Sequence, residues 1–229
     1  YAYYENPEIF DLKDLVELHK DSKKTAFMFH DNGKVVKKSF AETYNDIKAL
    51  SGYLFDKYKN KHIAVVGEDS YAWIITALAI ILSGNVCVAI DKDADEETMR
   101  RQLKQADVNV LFYSANYCEQ AEKYIKNSFA LEEIDEFIRA GKRIKNKYKN
   151  DREADAMIFF TSGTTGYSKA VVLSQKNIAA DIYGASAIFT PHGKVISFLP
   201  YHHAFGFVTS ALKPYYYHNR TFISGSLKH

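Results

Sequence analysis

The chain has 229 residues, with 30 Lys and Arg against 28 Asp and Glu for a formal net charge of +2, a length that suits one large domain or two small ones. Hydrophobic residues make 47% and charged residues 25%, which argues against a disordered tail, a collagen-like repeat and a simple coiled coil. The nearly balanced charge predicts no nucleic-acid or anionic-membrane footprint, so any anion must be held locally.

Residues 12–19 carry apolar positions at helical spacing. Residues 25–29 then run into Asp31-Asn32-Gly33 before Val35 and Val36, the pattern of a β-hairpin. Ser39 with Glu42 three residues on forms a capping box, and Phe40, Tyr44, Ile47, Leu50, Leu54 and Phe55 fall on one helical face, so a helix is expected to end near Lys59. The two cysteines, Cys87 and Cys118, show neither a disulfide framework nor metal-ligand spacing, and no basic segment leads into an apolar run at the start. A reducing, cytoplasmic setting is expected.

From His62 strands and helices alternate. Residues 63–66 read as a strand, Asp69 or Ser70 caps an apolar helix ending at Gly84, 86–90 is a strand, 96–105 a helix and 108–113 a strand. Three strands with two crossover helices imply a parallel sheet, and their unbroken apolar runs imply that helices cover both faces. Residues 71–90 lack any charge over a membrane-spanning length, yet Ser83-Gly84-Asn85 divides them into a buried helix and a strand, so no transmembrane segment is expected. No Gly-x-Gly-x-x-Gly follows the first strand, so the dinucleotide fingerprint is absent. Between residues 117 and 155 the chain turns polar. A short amphipathic helix carrying Leu131, Ile134, Phe137 and Ile138 stops at Gly141, and the basic run Lys142, Arg143, Lys145, Lys147, Lys149 reads as a solvated linker face.

The last third opens with a buried strand at 156–160 and another at 170–173, after which Ser174 caps a helix from 175 to about 189. A strand at 195–199, Pro200, the pair His202 and His203, a helix from about Phe207 and a final strand at 221–223 complete the reading. The fold class is α/β: a helix-covered, mostly parallel sheet plus part of a second sheet.

The loop between the two strands at 156–160 and 170–173 carries the chemistry. Residues 161–169 read Thr-Ser-Gly-Thr-Thr-Gly-Tyr-Ser-Lys. Gly163 and Gly166 permit close approach of backbone N–H groups to a ligand, the hydroxyls of Thr161, Ser162, Thr164 and Thr165 add donors, and Lys169 supplies a point charge. Such a loop suits a polyphosphate. It departs from the Walker pattern, since Ser168 precedes the lysine and a strand rather than a helix follows.

This run resembles the phosphate-binding signature of the AMP-forming acyl-CoA synthetases, within the superfamily of adenylate-forming enzymes that includes luciferases and nonribosomal peptide adenylation domains. The segments VVLSQKNI at 171–178, FLPYHHAFGF at 198–207 and the strand-helix-strand from 65 to 93 are similar to further family segments. The resemblance is greatest to fatty-acyl-CoA ligase-type members. It implies that a carboxylic acid, by that likeness a fatty acid, reacts with Mg2+-ATP to give an acyl-adenylate, which the thiol of coenzyme A then attacks. By the same resemblance Thr161, Ser162, Gly163, Thr164, Thr165, Gly166 and Lys169 hold the ATP phosphates. Adjacent side chains of an extended segment point to opposite sides, so one of the two histidines faces a pocket; the motif match selects His203 as pocket residue or gate. Ser168, Ala170 and Gln175 depart from the residues common in the family, and a Cβ at Ala170 is expected to restrict the backbone beside the lysine.

The resemblance further implies that residues 1–229 are a partial N-terminal large domain, with subregions 1–116, 117–155 and 156–229. The C-terminal lid domain and the later catalytic motifs lie outside it, so this chain alone is expected to be inactive. An aryl- or amino-acid-activating enzyme of the same superfamily and a non-catalytic nucleotide-binding module stay open as alternatives, as do the metal ligands, the acceptor thiol and the oligomeric state.

Overall fold

The computed structural model describes residues 6–117, 123–161, 168–184 and 193–224. Two sheets organise it. The larger has six strands in the order β6-β5-β3-β4-β7-β8, from β3 (His62–Val66), β4 (Val86–Ile90), β5 (Val108–Tyr113), β6 (Ser128–Ala130), β7 (Asp155–Thr161) and β8 (Lys169–Ser174). All its pairings are parallel except the β7–β8 hairpin. The smaller has the order β2-β1-β10-β9, from β1 (Thr25–Asp31), β2 (Lys34–Ser39), β9 (Lys194–Ser197) and β10 (Arg220–Ile223), parallel except at the β1–β2 hairpin.

The helices are α1 (Leu12–Glu17), α2 (Phe40–Lys57), α3 (Tyr71–Leu82), α4 (Glu96–Gln105), α5 (Ile134–Gly141), α6 (Gln175–Gly184), α7 (Ala204–Phe207) and α8 (Lys213–Tyr216), with a π-helical turn at Val208–Leu212 joining the last two. Local chemistry sets several boundaries. Asn32 and Gly33 both take positive φ, 47° and 75°, which matches the twist of a two-residue hairpin. At α2 the capping box forms as read: Ser39 Oγ accepts from Glu42 N–H and the Glu42 carboxylate accepts from Ser39 N–H at 2.8 Å. Ser70, rather than Asp69, caps α3, accepting from Trp73 N–H at 3.1 Å. The helix closes in a Schellman pair, Gly84 N–H to Ile81 O and Asn85 N–H to Ile80 O.

The alternation of the strands decides which helix covers which face. Ile63, Val65, Cys87, Ala89, Val110 and Phe112 join one core with residues of α1, α2, α3 and α5. Their neighbours Ala64, Val66, Val88, Ile90, Leu111 and Tyr113 join a second core under Met99 and Leu103 of α4. Buried Val, Leu and Ile side chains each contribute roughly 1.5–3 kcal/mol, so both faces are firmly held. Helix α3 is apolar all round because it is enclosed: Trp73 packs on Tyr201 and Phe207, and Tyr71 packs on Phe27 and Phe29 of the smaller sheet. It is thus the layer between the two sheets, which explains its uncharged stretch. Among the described residues no helix is long and apolar enough to cross a membrane.

Four differences from the sequence reading stand out. The polar 117–155 stretch contributes β6 to the sheet edge as well as α5. The basic run at 142–149 is exposed at its lysines, as expected, but its alternate residues anchor the segment across the helices. Asn146 Nδ2 donates to Leu82 O at 2.7 Å and Asn150 Nδ2 donates to Asp11 Oδ2 at 2.6 Å. Strand β9 ends at Ser197, two residues early, and α7 begins at Ala204, three residues before Phe207. Finally, Ala170 sits in the regular β7–β8 ladder opposite Phe160, so its Cβ imposes no restriction. Cys118 and the expected helical residues 185–189 lie outside the described residues.

Candidate functional site

Parallel strands place all the loops that follow them at one edge, where ligands of such sheets bind. After β3 come Glu68, Asp69 and Ser70; after β4 come Asp91, Lys92 and Asp93; after β5 comes Ser114; and β7 ends at Thr161. The carboxyl ends of β1 and β10 arrive from the smaller sheet, so that Phe29, His30, Ile223 and Ser224 line a small cleft of about 130 Å³ with Asp69, Ser70 and Tyr71. Polar groups from both sheets therefore gather at one rim.

The turn at 200–203 is clamped to this rim. Tyr201 N–H donates to Asp69 Oδ1 at 3.0 Å, and His202 Nε2 lies 3.3 Å from Asp91 Oδ1. The Tyr201 ring is fully buried, with its hydroxyl 2.6 Å from Ser197 Oγ. Helix α7 then folds back so tightly that a Cβ on Gly206 would lie 2.1 Å from Pro200 O, which leaves room there only for glycine. Burial pushes the Asp69 carboxyl up to about 6, opposed by the Tyr201 N–H and by Lys92. Burial likewise lowers the His202 imidazole, against the pull of Asp91 and with help from His203 and Lys92. Lys92 resists its own partial burial, because Glu68 at 3.3 Å and Asp93 hold its ammonium above the ordinary value.

The sequence-derived site residues fall as follows. Thr161 and Lys169 are register partners at the open end of the β7–β8 hairpin, both exposed. Lys169 makes no ion pair among the described residues. Ser168 Oγ is buried without a hydrogen-bond partner, an unmet donor and acceptor at the mouth of the loop. Ser162, Gly163, Thr164, Thr165 and Gly166 lie outside the described residues. The two histidines diverge as expected: His202 turns inward at 8% exposure, while His203 is exposed at the N-cap of α7. Strand β4 pairs β7 in parallel, so Asp91, with His202 beside it, leaves the sheet next to the strand that ends at Thr161. Sequence alone assigns Asp69, Asp91 and His202 no role in the site, since their partners lie far along the chain. The position of each just after a predicted strand or beside the motif histidine was the available signal. Among the described residues no group of three or more His, Cys, Asp or Glu suits a metal ion.

A parallel, helix-covered sheet, a second sheet docked across its enclosed helix, and polar loops collected at the carboxyl rim define the N-terminal part of the adenylate-forming enzyme fold. The fatty acyl-adenylate ligase from L. pneumophila, solved with acyl adenylate and pyrophosphate, superposes with a TM-score of 0.83 at 19% identity, over 97% of this chain and 41% of its own. The AMP-binding enzyme family matches residues 16–221, and the chain belongs to that family. It is 25% identical over 185 residues to a CoA ligase of Gibberella moniliformis, covering 77% of this chain and 31% of that protein. It is 30% identical over 175 residues to a long-chain-fatty-acid–CoA ligase of Rattus norvegicus, covering 62% of this chain and 26% of that protein. The chain thus spans about a third or less of the length of these relatives.

Proposed function

We propose that this chain is the N-terminal portion of an AMP-forming carboxylate–CoA ligase, with a fatty acid as the carboxylate. In the first step a carboxylate oxygen attacks the α-phosphorus of ATP and the bond to the β-phosphate breaks, giving acyl-adenylate and pyrophosphate. In the second the thiol of coenzyme A gives its proton to solvent, the resulting thiolate attacks the acyl carbon, and the acyl–oxygen bond breaks as AMP leaves with the electron pair. The fatty-acid reading rests on the named activity of the rat relative; the adenylate and pyrophosphate reading accords with the ligands named for the L. pneumophila enzyme.

Charge accumulates on the departing pyrophosphate, so positioning and electrostatic neutralisation are the work required of the protein. Residues 161–169 would do this with loop amides around Gly163 and Gly166, the hydroxyls of Thr161, Ser162, Thr164 and Thr165, and the Lys169 ammonium. The observation that carries the reading is that Thr161 and Lys169, which flank the Gly/Thr-rich run, sit at the carboxyl rim of a family-matched sheet, with Ser168 Oγ buried and unmet and Lys169 exposed beside it. His203, exposed on the clamped 200–203 turn, is assigned to the carboxylate or its gate. Magnesium would arrive with the ATP phosphates, and no described residue of this chain is assigned to hold it.

ATP–pyrophosphate exchange by the enzyme that carries this chain, measured across fatty, aryl and amino acids, tests the proposal. Exchange supported by fatty acids is expected. Exchange with amino acids alone would reject the fatty-acid assignment, and no exchange with any acid would reject the ligase reading.

A further inference from the structure

At the opposite, amino-terminal edge of the smaller sheet, basic side chains collect without acidic partners among the described residues. Lys23 and Lys24 precede β1, Lys194 opens β9 and Arg220 opens β10, and all four are exposed. The parallel register sets Arg220 directly beside Lys194, placing like charges next to each other on neighbouring strands, an arrangement that costs stability. With Thr25, Gly193 and His218 these residues line a cleft of about 510 Å³, and among the described residues no Asp or Glu lines it. Several other cations of the fold form pairs, as in Lys38–Asp46, Lys92–Glu68 and Lys176–Glu153. Among the described residues none of Lys23, Lys24, Lys194 and Arg220 does so.

The cleft is built rather than accidental in shape. Buried Asn219 accepts from Gly193 N–H at 2.8 Å, and Arg220 N–H donates to Gly193 O at 3.1 Å, which ties the starts of β9 and β10 together. Ser22 Oγ sits 2.7 Å from His218 Nε2, and the His218 ring stacks on His19 with centroids 4.2 Å apart. One wall is thereby joined to the segment that carries Lys23 and Lys24.

We propose that this cleft binds a small polyphosphate anion, at a site separate from the 161–169 loop. Three lysine point charges and one guanidinium fork around a concave surface suit clustered phosphate oxygens. A nucleic acid would call for a longer basic stripe than four residues at one sheet edge provide. The site stands independently of the ligase assignment, because it uses none of that rim's residues.

His218 offers an internal reporter. Burial lowers its pKa, and the neighbouring His19 and Lys24 lower it further; Lys23, Lys194 and Arg220 face the same cleft. An anion bound there offsets these cations and raises the imidazole pKa. The experiment follows the His218 ring by NMR in the 229-residue chain, at constant ionic strength, during titration with inorganic pyrophosphate, ATP and orthophosphate. Saturable binding of pyrophosphate with a rise in the His218 pKa is expected. Lys24→Ala/Arg220→Ala should weaken it by about tenfold or more, whereas Lys169→Ala should leave it unchanged. ATP binding as tightly as pyrophosphate supports recognition of the phosphate tail alone, and tighter binding supports an added nucleoside contact. Should the double variant fail to fold, Lys24→Glu replaces it, with the same loss expected. The proposal is overturned if pyrophosphate leaves His218 unmoved, if the response follows ionic strength alone, if Lys169→Ala abolishes it, or if a single-stranded oligonucleotide binds there and pyrophosphate does not displace it.

Discussion

Replacing Asp69 by Asn probes the clamp between the two sheets with a definite sign. The substitution keeps an acceptor for Tyr201 N–H, which now meets Asp69 Oδ1 at 3.0 Å, and removes a charge that burial disfavours. The carboxyl stands at about 6 in the folded protein against an ordinary 3.8. Because the folded state holds this proton more tightly than the unfolded chain, the wild-type protein loses stability as the pH rises from about 4 to about 6, and the loss then levels off. Two pKa units correspond to about 3 kcal/mol. Discounting for solvent screening at this partly buried position leaves roughly 2 kcal/mol. For a chain of this size that is a melting temperature higher by about 4–8 °C in Asp69→Asn at pH 8, shrinking toward zero near pH 4. Differential scanning calorimetry from pH 4 to 8 measures it. An equal or lower melting temperature for the variant at pH 8, or a difference that does not change with pH, would refute the reasoning.

Other substitutions test other parts of the account. Gly206→Ala forces a Cβ to 2.1 Å from Pro200 O, so overpacking should cost about 1–3 kcal/mol and lower the melting temperature by several degrees; an unchanged melting curve would show that the turn yields freely. Ser39→Ala removes the hydroxyl that accepts from Glu42 N–H and should cost about 1 kcal/mol in urea-unfolding experiments, without a change in m-value. Leu50→Ala empties a fully buried position on α2 and should cost about 2–5 kcal/mol in the same assay.

Much of the larger sheet was legible because its signals are local. The bounds of α4, β4 and β5 coincide with the apolar runs and their flanking caps, and the Ser39–Glu42 box formed as read. The short edge strand β6 escaped notice, since three half-buried residues carry too little pattern to separate a strand from a loop. The start of α7 was placed late for a similar reason: His203 at its N-cap makes no side-chain cap bond. The chain at 142–150 was read as a linker, because its charged residues do face solvent; its anchoring by Asn146 and Asn150 depends on partners 64 and 139 residues away. At the site, the loop was recognisable from nine consecutive residues. The contacts of Asp69 with Tyr201 and of Asp91 with His202 were not, because only the docking of the two sheets brings them together.

The central claim is that residues 161–169 hold the phosphates of ATP. Titrating the chain with ATP while following backbone amides by NMR tests it site by site, and keeps this loop distinct from the basic cleft at the far edge of the smaller sheet. The expected result is a set of saturable shifts in residues 161–169 and at His203, resolved from any at the basic cleft, with the affinity read from the loop amides lowered by about tenfold or more in Lys169→Ala. Loop amides that stay unmoved at saturating ATP, or loop shifts whose midpoint Lys169→Ala does not change, would contradict the account.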